Sequence, residues 1–87
     1  MNVFEYKNAQ LVTEFDRYII ENPDFSESIP DGALVAMQVA DDDIFNEWSR
    51  ELARRQAENG QEIVYVNIKK LRPVKSRIEQ LAISANP

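Results

Sequence analysis

The chain has 87 residues, of which 44% are hydrophobic and 29% are charged, and its net charge is −5. These values are typical of a single globular domain spanning residues 1–87 and exclude a disordered chain. The absence of cysteine and histidine excludes disulfides, zinc–sulfur sites and Ser–His catalysis. No stretch approaches the ~18 apolar residues of a membrane span, and the N-terminus lacks the apolar run of a signal peptide. We therefore expect a cytoplasmic protein.

The first third of the chain predicts a helix followed by a turn. Apolar residues recur at helical spacing within residues 5–21, namely Leu11, Val12, Phe15, Tyr18 and Ile19. Asn22 ends this helix, because the residue before a proline avoids the helical region. Residues 23–28 predict one more helical turn with Phe25 and Ile29 pointing inward, and "IPDGA" then predicts a tight turn.

The remaining residues predict strand, helix, strand and helix. "ALVAMQV" at 33–39 and "EIVYVNI" at 62–68 have the composition of buried strands. Residues 42–59 predict the helix between them, ended by Gly60, with a buried face of Ile44, Phe45, Trp48 and Leu52. Pro73 suits the first position of a last helix, whose buried stripe would be Val74, Ile78, Leu81 and Ala85.

This order predicts an α/β fold with a single βαβ unit, in which two parallel strands are flanked by N- and C-terminal helices in the order αβαβα. Two parallel strands are only marginally stable alone. Neither strand carries a mid-strand proline or inward lysine that would block its edge. We therefore expect a homodimer that extends or covers the sheet.

Three consecutive aspartates, Asp41, Asp42 and Asp43, precede the middle helix. A helix start explains all of them, with Asp41 as the cap and the other two in the first turn beside the positive end of the helix dipole. Ala40 and Phe45 would then occupy the two positions of a hydrophobic staple. We favour this structural interpretation.

The alternative is a divalent-metal or phosphate-handling site. The carboxyl ends of parallel strands are where such sheets bind ligands, and they carry the three aspartates on one strand and Lys69 on the other. Carboxylate oxygens suit Mg²⁺ or Ca²⁺. The arrangement resembles response-regulator receiver domains locally, although those have five strands. Adjacent acids rarely point at one ion, and neither strand is followed by a glycine-rich phosphate loop.

"IKKLRPVKSR" at 68–77 is the basic run of the chain. We favour a solvated strand end and helix flank. The functional alternative is a small patch for an acidic partner, with Lys69, Lys70 and Arg72 as the candidate residues. Nucleic-acid binding is the less favoured alternative, because no aromatic residue is interleaved to stack on bases.

Two segments, "NPDFSESIPDGALV" and "NEWSRELARRQAENGQEIVYVNIKKL", carry a resemblance over residues 8–71. They resemble a small prokaryotic α/β domain family of unknown function, which shares the N-terminal helix, the "IPDGA" turn before a buried strand and the "GQ" before a second strand. The resemblance implies the αβαβα fold and a prokaryotic cytosolic origin, and it carries no activity.

We therefore expect a non-enzymatic, homodimeric interaction or regulatory module, for example an accessory or antitoxin-like partner of another small protein. No catalytic residue and no resident cofactor are expected. The alternative is a ligand-binding domain that uses Asp41, Asp42, Asp43 and Lys69 with Mg²⁺.

Overall fold

The computed structural model describes residues 2–85 and contains one βαβ unit preceded by a helix. The elements are α1 at Val3–Glu21, a 3-10 helix at Pro23–Ser28, β1 at Leu34–Val39, α2 at Asp43–Gln56 and β2 at Ile63–Ile68. The two strands pair in parallel, from Leu34 beside Ile63 to Val39 beside Ile68. The predicted α/β class with a two-stranded parallel sheet is confirmed.

Side-chain caps set both ends of α1. The Oδ1 atom of Asn2 accepts the N–H of Glu5 at 2.8 Å, so the helix begins two residues earlier than predicted. At the other end, the backbone N–H and the Nδ2 atom of Asn22 both donate to the carbonyl of Tyr18, at 2.8 and 3.0 Å. Asn22 therefore ends α1 as the sequence predicts, just before the proline.

The core lies between α1, α2 and one face of the sheet. Leu11, Met37 and Phe45 form its buried centre. The partly buried residues around them come from both helices and both strands, namely Phe4, Phe15, Val35, Val39, Trp48, Val66 and Ile68. The parallel register pairs Met37 with Val66 and Val39 with Ile68, so both strands present these side chains to the same face.

Two linked turns close the opposite end of the unit. Gly32 and Gly60 both adopt left-handed backbone, with φ of 79° and 82°, which favours glycine at each position. The Nε2 atom of Gln61 donates to the carbonyl of Gly32 at 2.9 Å and joins the turns. α2 already ends at Gln56, because Ala57 turns to extended backbone with ψ of 132°. The predicted helix end at residue 59 is therefore three residues too late.

Two side chains assigned to buried faces lie outside the core. Ile44 is 74% exposed, because its position in the first turn of α2 points it away from the sheet while Phe45 fills the core. Phe25 is 53% exposed and packs edge-to-face on Tyr18, with ring centroids 5.2 Å apart. Both predictions of inward orientation were wrong.

The predicted C-terminal helix is absent from the part of the chain that the structure describes. Residues 69–85, called the arm below, contain neither helix nor strand. The expected buried stripe of Val74, Ile78, Leu81 and Ala85 is exposed. A helix of this length is marginal in water without a surface to pack on, and no element of the domain covers these side chains. Within residues 2–85, no helix combines the length and apolarity needed to cross a membrane.

Candidate functional site

The aspartate cluster is built as a helix start, one residue later than predicted. Asp42, not Asp41, is the cap, and its Oδ1 atom accepts the N–H of Phe45 at 3.2 Å. Asp43 occupies the first turn. Asp41 lies before the cap with φ of 66°, a left-handed conformation that aspartate tolerates better than most residues. This shift moves Ala40 and Phe45 out of the two staple positions, so that prediction was wrong.

Asp42 also links the two helices. Its Oδ2 atom accepts from the Nζ atom of Lys7, and the same ammonium lies 5.3 Å from the centroid of the Phe45 ring. The hydrogen bond from Lys7, and then that from Phe45, lowers the pKa of Asp42 below its ordinary value. Asp42 is therefore an ionised cap whose partners come from the protein itself.

The three aspartates therefore have different surroundings. Asp41 and Asp43 are exposed, whereas Asp42 is half-buried against Lys7. No group of three or more acidic, histidine or cysteine side chains within residues 2–85 is placed to hold a metal ion. Binding of Mg²⁺ or Ca²⁺ at this cluster stays a prediction, which calorimetric titration with either ion tests.

The outer edge of β1 is closed by α2. The side-chain amide of Asn46 bonds both backbone groups of Val39: Oδ1 accepts its N–H at 2.7 Å, and Nδ2 donates to its carbonyl at 2.8 Å. One turn later, the hydroxyl of Ser49 donates to the carbonyl of Met37 at 2.7 Å. The expectation that neither strand has a blocked edge was therefore wrong for β1.

Gln38 and Arg50 extend this closure on the other face of the sheet. The Nε2 atom of Gln38, which is buried, donates to the carbonyl of Met37 at 3.0 Å and to that of Asn46 at 3.3 Å. Its Oε1 atom accepts from Arg50 at 3.0 Å. Every buried side-chain polar atom of the described residues has a hydrogen-bond partner. α2 therefore covers the outer edge of β1 from Met37 to Val39.

The outer edge of β2 is open. The N–H of Leu34 donates to the carbonyl of Glu62 at 2.8 Å, and the N–H of Ala40 donates to that of Ile68 at 3.0 Å. These two bonds show that the even-numbered residues of β2 are the ones whose backbone groups bond to β1. The backbone groups of Ile63, Tyr65 and Asn67 consequently point away from β1. Within residues 2–85 no third strand pairs with them. The carbonyl of Tyr65 accepts one long contact, at 3.5 Å, from Nδ2 of Asn67.

A groove runs along this open side between α1 and β2. We call it the α1–β2 groove. Its floor is the core-side face of β2, and its walls are α1 and the 3-10 helix; the lining includes Tyr6, Leu11, Phe15, Tyr18, Phe25, Val64, Val66 and Ile68. Among the strands and helices of the βαβ unit, α1 has its main contacts with β1 and α2, and the groove lies on the β2 side of α1. Tyr6 and Tyr18 are 59% and 46% exposed along its wall.

The three basic residues predicted to meet a partner lie at the mouth of this groove. Lys69, Lys70 and Arg72 follow β2 directly and line the groove together with Leu71 and Val74. They are exposed, and none belongs to the ion pairs found within residues 2–85. The structure does not bring Lys69 into hydrogen-bond contact with the aspartates.

Sequence reasoning missed the residues that close β1. Asn46 and Ser49 lie on the same side of α2 as the buried Phe45 and Ala53. Two polar residues on a buried side of a helix need hydrogen-bond partners, and this was the available indication that they bond to the backbone of a neighbouring element. Lys7 gave no such indication, because its partner Asp42 is 35 residues away in sequence.

The fold and this surface define a small α/β domain with one enclosed strand edge and one open edge. The chain belongs to the family of unknown function DUF5647, whose profile matches residues 3–81. The match includes most of the arm, beyond the segments that carried the resemblance. Neither the curated proteins nor the solved structures contain a match to this chain.

Proposed function

We propose that this chain is a non-enzymatic, homodimeric protein-interaction module, and that the α1–β2 groove with the outer edge of β2 is its recognition surface. The observation that carries the proposal is the contrast between the two strand edges. Asn46 and Ser49 enclose β1, whereas β2 keeps its outward backbone groups and an apolar groove beside them. Large apolar surface next to an open strand edge is typical of a protein-binding site.

The described residues support binding rather than chemistry. The groove is lined by aromatic and aliphatic side chains, with Lys7 and Glu14 as the charged groups on α1. Lys7 is already engaged by Asp42. An accessory or antitoxin-like role, in which a second small protein competes for the same groove, fits this surface. The cysteine-free chain suits a reducing prokaryotic cytoplasm.

Sedimentation equilibrium tests the homodimer. We expect the wild-type chain to dimerise at micromolar concentration, and Tyr6→Glu, which places a charge in the groove wall, to weaken dimerisation by at least about tenfold. Ile20→Glu is the matched control, since Ile20 lies on the same helix, is 79% exposed and does not line the groove. A wild-type chain that stays monomeric, or equal effects of the two variants, would contradict the proposal.

A further inference from the structure

The arm and the groove of this chain have complementary apolar surfaces. In a helical conformation, Val74, Ile78 and Leu81 share one face of the arm. In the structure these side chains are exposed, and the α1–β2 groove presents Val64, Val66 and Ile68 on its floor. The arm therefore has an exposed apolar face, and the groove has an apolar floor on which such a face can pack.

Their lengths also match. A helix over residues 73–85 would be about 20 Å long, and six residues of β2 extend over about the same distance. A helix on this floor would lie beside α1 on the core-side face of β2. That position would cover the half of the sheet face that α1 leaves open, in the manner of a helix bound in a groove.

The charges of the two parts are opposite. Residues 1–68 contain fourteen acidic and five basic residues, for a net charge of −9. Residues 69–87 contain five basic residues and one acidic residue, for a net charge of +4. Lys75 and Arg77 flank the apolar stripe of the arm, and Glu14 lies in the groove wall. Attraction between these parts therefore adds to the apolar contact.

Residues 69–74 of the arm line the groove of their own chain, and residues 75–85 do not. The molecule is 68 Å long, and its radius of gyration is 17.7 Å, whereas a compact chain of this length has about 12 Å. An extended arm is placed to reach a neighbouring molecule. In a reciprocal exchange between two copies, each arm occupies the groove of the other copy, and the pair is closed.

We infer that the occupant of the α1–β2 groove is the arm of a second copy, which folds as an amphipathic helix on the floor formed by Val64, Val66 and Ile68. This inference rests on the proposed homodimer and names its contact. Two arms are exchanged reciprocally, and the helix predicted from the sequence forms only when it is bound.

Variants of the full chain test the occupant by sedimentation equilibrium. We expect Ile78→Glu to weaken dimerisation by at least about 100-fold, because it places a charge against the groove floor. Ile83→Glu is the matched control, since Ile83 lies on the opposite side of the helical arm, is 89% exposed and should leave dimerisation unchanged. Circular dichroism confirms that the βαβ unit of each variant remains folded.

A mixture of two variants distinguishes reciprocal exchange of arms from a homodimer that forms through another contact and from an arm that binds its own groove. Tyr6→Glu damages the groove and Ile78→Glu damages the arm, so a mixed pair keeps one intact arm facing one intact groove. We expect the mixture to associate at least tenfold more tightly than either variant alone. Wild-type-like dimerisation of Ile78→Glu, or no complementation in the mixture, would overturn the exchange and leave the homodimer standing. A monomeric wild-type chain with the arm folded back on its own groove would overturn both.

Discussion

Asn46 binds both backbone groups of Val39 through its side-chain amide, at 2.7 and 2.8 Å, and so replaces the neighbouring strand that β1 lacks. The amide has a donor and an acceptor side by side, which is the pattern that an extended residue presents at a strand edge. This single pairing makes the two edges of a two-stranded sheet unequal and leaves β2 as the strand available to a partner.

Asn46→Asp should therefore destabilise the domain more than Asn46→Ala. Removing the amide leaves two backbone groups of Val39 without partners and should cost about 1–3 kcal/mol. The aspartate adds a carboxylate oxygen facing the carbonyl of Val39, which raises the cost further. Urea unfolding followed by circular dichroism measures both values. Gln56→Ala, at the exposed end of α2, is the control and should change the free energy of unfolding by less than about 0.5 kcal/mol.

Asp42→Ala should lower the thermal midpoint, and Asp43→Ala should lower it less. Asp42 accepts the N–H of Phe45 and the ammonium of Lys7, whereas Asp43 is exposed in the first turn. Scanning calorimetry of the three proteins gives the order. Equal effects of the two substitutions would mean that the cap does not contribute as the structure indicates. Lys7→Met combined with Asp42→Ala then isolates the part that depends on the ion pair.

The contribution of Asp42 should disappear in acid. Lys7 and Phe45 lower the pKa of Asp42 in the folded state below the ordinary value of 3.8, so the unfolded chain binds the proton more readily. The stabilisation is complete above 3.8 and is lost as the pH falls through the lower folded value. The difference in urea midpoint between the wild type and Asp42→Asn should be present at neutral pH and should shrink progressively as the pH falls below 3.8. A difference that grows in acid would contradict this assignment.

Neutralising the mouth of the groove should weaken dimerisation. The combined substitution Lys69→Gln, Lys70→Gln and Arg72→Gln removes three of the positive charges that face an acidic domain. We expect the dissociation constant of the wild-type dimer to rise several-fold between low and high salt, and that of the variant to change less. Arg54→Gln and Arg55→Gln, which lie on α2 away from the groove, form the matched control.

The pattern of the sequence was sufficient for the elements that pack locally. Helical spacing around Leu11 and Phe45 and the apolar strands at β1 and β2 predicted the βαβ unit, because each of these patterns reports burial within the same domain. The same pattern around Val74 and Ile78 predicted a helix that residues 69–85 do not form in the structure. Periodicity reports that a segment is amphipathic, and it does not report whether the chain supplies a surface for it.

Other features depend on backbone geometry or on distant residues. The cap fell on Asp42 instead of Asp41 because Asp41 adopts a φ of 66°, a choice among three identical residues that composition cannot distinguish. The closure of β1 depends on α2 lying alongside that strand, so that Asn46 reaches Val39. The groove depends on the placement of α1, whose main contacts within the βαβ unit are with β1 and α2. These are consequences of packing between elements.

In the proposed exchange, each copy contributes one arm and one groove. In any assembly of identical chains, the number of unbound arms therefore equals the number of empty grooves, whatever the assembly size. A closed pair leaves no arm unbound and no groove empty. A linear series of copies joined in one direction always keeps one unbound arm and one empty groove, and it continues to grow. In such an exchange, residues 69–72 between β2 and Pro73 would set the direction in which the arm leaves the domain, and this direction would decide between a finite pair and an open-ended filament.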